Sequence, residues 1–166
     1  RKNKYLYKES FIEFLKNTDH NINIDCDYQG LKERIDKKHK CIFIRPTLYH
    51  EKYDLNVIPD FILHRDIFCE LFNEINISGL NEKSLPLYIV SDIVYQTVNF
   101  NSDMTDLINE NFLYYYKCKI YLCNKILGYK DYGILFAKEY KYKEKILKKK
   151  NIVGKYLFNK DMKDKI

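Results

Sequence analysis

The chain has 166 residues, enough for one domain of ordinary size or two small ones, and its 46% apolar and 31% charged composition is that of a globular rather than a disordered chain. No apolar run approaches the ~20 residues of a membrane span, so no membrane partner is expected. The net charge of +6 is uneven: from Ile134 onward eleven Lys face four acids, a net of +7, leaving −1 for the rest.

Five cysteines, an odd count with no CxxC pair, argue against a disulfide framework and for a reducing, intracellular setting. There are 16 Tyr, 10 Phe and no Trp, and Ala occurs once, at Ala137. That bias points to an AT-rich coding genome, in which much Lys and Asn is compositional drift. The chain opens on Arg1, as expected of a processed or trimmed piece.

In chain order, Tyr5 to Asn17 predicts an amphipathic helix with Phe11, Ile12, Phe14 and Leu15 on one side. Ile22 to Cys26 alternates and reads as a strand, with Tyr28-Gln29-Gly30 as its turn. Leu31 to Lys40 reads as a short exposed helix. Cys41 to Ile44 is the best strand candidate, stopped by Pro46. His50 to Ile58 reads as a loop. A helix is expected from Pro59 through Ile75, broken at Ser78-Gly79.

Pro86 to Thr97 is expected as a helix because Pro86 suits a first turn and Ser84 suits its cap. A buried strand is the alternative, since Ile89, Val90, Ile93, Val94 and Val98 favour β. Asn99 to Asn101 is a turn, Ser102 caps a long helix through Leu127, and Gly128 ends it. Asp131-Tyr132-Gly133 is a turn, and Ile134 to Asn151 is expected as a last helix, with Gly154 before a frayed end. These elements predict an α+β fold: a small mixed N-terminal unit with short strands, 1–78, then a mainly helical unit with a basic tail, 79–166.

No motif selects a catalytic site. His64-Arg65-Asp66 looks like a kinase catalytic loop, but Leu71 stands where the metal-binding Asn is needed and no Gly-rich loop exists. His20, His39, His50 and His64 are scattered, so no metal and no cofactor is expected. The expected role is therefore non-catalytic.

Two surfaces stand out instead. Tyr114-Tyr115-Tyr116 is too aromatic for one buried stripe and suits an interface. Lys141, Lys143, Lys145, Lys148, Lys149 and Lys150, interleaved with Tyr140 and Tyr142, form a patch suited to nucleic acid or to a solvated helix face.

Leu85-Pro86-Leu87-Tyr88-Ile89-Val90 resembles the L-P-L-W-L-A helix start of the Psf subunits of the GINS complex, with Tyr88 in place of Trp and Val90 in place of Ala. Tyr5 to Ile12 is similar to the F-x-x-I-D-D-I-L opening of the subunit numbered three. Ile58-Pro59-Asp60-Phe61 resembles the I-P-N-F of the subunit numbered two. The resemblance implies a nuclear heterocomplex subunit in DNA replication that activates the replicative helicase, with Leu85, Pro86, Leu87 and Tyr88 as structural or interface residues. The expected function is thus a non-catalytic assembly subunit with protein partners in a hetero-oligomer. The alternative is a basic nucleic-acid-binding domain using the tail.

Overall fold

The computed structural model describes residues 2–72, 85–100, 110–129, 132–142, 145–146 and 154–157. Helix α1 (Lys2–Lys16) buries Phe11, Ile12 and Leu15, one face at helical spacing. It is closed by Thr18, whose hydroxyl donates to the Leu15 carbonyl at 2.7 Å. Strand β1 (Asn21–Ile24) stops where Asp25 turns to a positive φ of 50°. Helix α2 (Tyr28–Asp36) follows at once, because the Asp27 carboxylate accepts from the Gly30 N–H at 2.8 Å. The turn expected at Tyr28 to Gly30 is therefore the first turn of this helix.

Strand β2 (Cys41–Ile44) is buried throughout. The expected loop at His50 to Ile58 contains a small hairpin, β3 (Leu48–His50) and β4 (Leu55–Val57), joined by a 3₁₀ turn at Glu51–Tyr53. The helix expected from Pro59 is replaced by strand β5 (Phe61–His64) and a short helix α3 (Arg65–Leu71). The switch falls at His64, whose Nδ1 accepts from the Asp66 N–H at 3.2 Å and caps α3.

The second half corrects further expectations. Pro86 to Thr97 is not a helix: strand β6 (Tyr88–Phe100) occupies it. All seven residues from Tyr88 to Val94 are fully buried, which a strand covered on both faces achieves and a one-sided helix does not. The described residues of Ile134 to Asn151 are likewise not a helix, and 143–144 and 147–151 lie outside the described residues. They form β7 (Gly133–Tyr142) and β8 (Lys145–Ile146), and β9 (Gly154–Leu157) stands where a frayed end was expected. Ile134 to Ala137 are all buried, again as in a central strand. Helix α4 (Glu110–Leu127) lies within the expected long helix, whose start at Ser102 falls outside the described residues, and ends at Gly128, whose φ of 72° suits glycine.

The fold is α+β, with helices on both faces of a mixed sheet. The order is β1-β2-β5-β6-β7, with β8 and β9 both pairing β7. β1 and β2 are parallel, β5 is antiparallel to both its neighbours, and β6 and β7 are parallel. The expected boundary at 78/79 lies outside the described residues, and strands from either side of it pair in this one sheet.

The crossovers β1–α2–β2 and β6–α4–β7 run in the same direction across the sheet. Right-handed connection therefore puts both helices on one face. Leu31 of α2 and Tyr116, Ile120 and Cys123 of α4 do share a core there with Phe43, Ile62, Val90 and Leu135. The opposite core holds Phe11, Ile12 and Leu15 of α1 and Ile67 and Phe68 of α3 against Ile42, Phe61, Ile89 and Phe136. No helix among the described residues is long and apolar enough to cross a membrane.

Gly133 opens β7 directly beneath α4. A Cβ there would lie 2.2 Å from the Cγ2 of Ile120, so only glycine lets helix and strand approach this closely. Gly133→Ala is expected to destabilise the fold by about 1–3 kcal/mol through overpacking. Ile120→Ala combined with it should recover part of that loss, as read from urea unfolding midpoints.

Candidate functional site

Strands β1 and β2 end on the side of the sheet where β5 begins, level with Ser91 of β6, which runs on to Phe100. In open sheets of this kind, ligands are found outside the carboxyl ends of the strands. Here that end carries a charged cluster. One step beyond the last β5–β6 pair, Phe61 with Ser91, stand Asp60 and Asp92. The Asp60 N–H donates to Asp92 Oδ1 at 2.8 Å, and the Ile93 N–H donates to Asp60 Oδ2 at 2.7 Å. The two side chains thus take over the ladder where the backbone pairing stops.

Each carboxylate also holds a lysine. Lys8 of α1 reaches both oxygens of Asp60, at 3.0 and 2.7 Å. Lys119 of α4 donates to Asp92 Oδ1 at 2.9 Å. Helices on opposite faces are therefore fastened to the same pair of acids. Beside them the Arg45 N–H donates to the Asp60 carbonyl at 3.0 Å, and its Nε to Asp25 at 3.2 Å.

Asp92 is fully buried, and that burial pushes its carboxyl up to about 6, against the opposing pull of Lys119. Its Oδ2 has no hydrogen-bond partner among the described residues. Burial alone would lower Lys119, but the charges of Asp92 and Asp60 outweigh it and hold the ammonium above the ordinary lysine range. Burial also pushes the Tyr116 phenol up to about 12, with both carboxylates adding to the shift. The cluster has two anions and two cations and no solvent access to Asp92, so its chemistry is that of a clasp. Among the described residues no three His, Cys, Asp or Glu side chains come together as a metal site.

The residues singled out by sequence are dispersed. His64, Arg65 and Asp66 are a strand end and a helix cap. The Arg65 N–H donates to the Leu87 carbonyl at 2.7 Å, and burial lowers the His64 pKa. Leu85 and Tyr88 are buried, while Pro86 and Leu87 are half-buried. The Tyr88 hydroxyl donates to the His39 carbonyl at 2.6 Å, pinning the segment that follows α2.

Of the tyrosine run, Tyr116 is 5% exposed, while Tyr114 and Tyr115 are 46% and 65% exposed. Lys141 lies on β7 and Lys145 on β8, beside each other through the Tyr142–Lys145 pairing. Lys143, Lys148, Lys149 and Lys150 lie outside the described residues. Asp60 and Asp92 were not singled out. The available signal was an aspartate inside the apolar run from Tyr88 to Val94, tolerable only with a charged partner.

No family model, no curated protein and no solved structure matches this chain.

The clasp sets a pH dependence. Asp92 binds its proton more tightly folded than unfolded, so its contribution is full below the ordinary carboxylate value of 3.8 and is lost as pH rises through about 6. Stability should fall across that window by about 2–3 kcal/mol from this group. Asp92→Asn should flatten the fall, measured by urea denaturation at several pH values.

Proposed function

We propose that this chain is a non-catalytic subunit that docks onto partner proteins through helix α4. The observation that carries the reading is the split within Tyr114-Tyr115-Tyr116. The helix spends one tyrosine on the core and presents the other two to solvent. Large aromatic side chains bury much area at low entropic cost, and Tyr is enriched where proteins meet. The charged cluster at the strand ends supports the same reading. Its carboxylates are held by lysines and backbone N–H groups, and Asp92 is fully buried, so the cluster offers a substrate no exposed carboxylate at Asp92.

The GINS-like version rests on Leu85 to Val90, and Tyr88, Ile89 and Val90 run in strand β6 with Leu85 and Tyr88 buried.

The test is to isolate the tagged chain from its own cells and determine what is bound in stoichiometric amount. One or more protein partners are expected. Tyr114→Ser with Tyr115→Ser should weaken the complex at least about tenfold while leaving the melting temperature within a few degrees. A partner-free monomer by light scattering would remove the reading.

A further inference from the structure

The outward face of α4 has a definite chemistry. Tyr114, Cys118, Tyr121 and Lys125 recur at i, i+4, i+7 and i+11 and so fall on one line, opposite the buried Tyr116, Ile120 and Cys123. Lys117 and Tyr115 flank that line. From Tyr114 to Tyr129 the sequence contains three lysines and no acidic residue. Lys119 is turned inward onto Asp92. Lys117 and Lys125 form no ion pair among the described residues. The face is therefore aromatic with two positive charges unpaired among the described residues, about 12 Å apart along the helix axis.

We infer that this face receives an acidic, apolar-bearing segment of a partner protein. The inference rests on the assembly reading above and adds the chemistry of the occupant. Carboxylates of the segment meet Lys117 and Lys125, and its apolar side chains lie against Tyr114, Tyr115 and Tyr121. Charge complementarity of this kind selects a partner and speeds the encounter, while the tyrosines supply buried area.

Nucleic acid is the weaker fit. Its affinity grows with the number of phosphates neutralised, and two cations, Lys125 exposed and Lys117 half-buried, release only about two counterions. Three tyrosines beside two lysines put the emphasis on area rather than charge.

The test uses fluorescence anisotropy with a labelled Glu/Tyr copolymer, a Lys/Tyr copolymer of equal length and an oligouridine of similar charge. The intact chain should bind the Glu/Tyr copolymer saturably and the Lys/Tyr copolymer at least about tenfold more weakly. Lys117→Glu with Lys125→Glu should reverse that preference, and Tyr114→Ser with Tyr115→Ser should weaken binding at least about tenfold, with melting curves unchanged. No saturable binding to the Glu/Tyr copolymer overturns the inference. So does unchanged binding by the charge-reversed variant, or tighter binding of oligouridine that the same variants abolish.

The complex isolated from cells separates the two claims. A partner retained on the charge-reversed variant removes the acidic occupant and leaves the assembly role standing. Absence of any partner on the unaltered chain removes the assembly role itself.

Discussion

Two aspartates placed opposite one another hold this molecule in register. Where β5 meets β6, Asp60 and Asp92 replace backbone pairing with side-chain acceptors, each taking an N–H from the other strand. The same acids draw Lys8 from one face of the sheet and Lys119 from the other. Burying one carboxylate in this way is costly unless its charge is met. The cost is partly offset because four elements, α1, β5, β6 and α4, each supply a group. Removing any one leaves an unmatched charge or acceptor inside, so the cluster fixes helix positions as well as strand pairing.

That arrangement explains which parts of the fold are legible in the sequence. Elements with one buried face and a local end signal are readable: α1 from its apolar stripe, β2 from Cys41 to Ile44, the end of α4 from Gly128. Elements buried on both faces are not, because a continuous apolar run has no period to report. Tyr88 to Val94 and Ile134 to Ala137 are such runs, and helical spacing can be picked out of either. Pro86 adds to the ambiguity, since a proline just before a strand looks the same as one opening a helix. The site was legible only in part. Tyr114 and Tyr115 stand out by composition, whereas Asp60 and Asp92 lie 32 positions apart and are joined only by the β5–β6 register.

Helix α4 has one duty in the core and, in the proposed assembly role, a second on its outer face. Inward, Tyr116, Ile120 and Cys123 fill the core and Ile120 presses onto Gly133, leaving no slack in its distance from the sheet. Outward, the tyrosines and lysines stand on a support whose position is fixed by that contact and by Lys119. A recognition surface on a rigid helix loses less entropy on binding than one on a loop. The inner packing therefore contributes to the quality of the outer face.

Strand β5 has only four residues, yet it lies between two larger pieces, the β1–α2–β2 unit and the β6–α4–β7 unit. Each piece is a parallel crossover that closes its own loop. The antiparallel bonds of Phe61 to His64 are what join them in one sheet. In terms of cooperativity, this short strand is the coupling element. While it is paired, amides in the two crossovers are expected to open together, so that hydrogen exchange in both should follow the global unfolding free energy. A proline at Ile62 would cut that coupling, giving a chain that melts in two steps from a fold that melts in one.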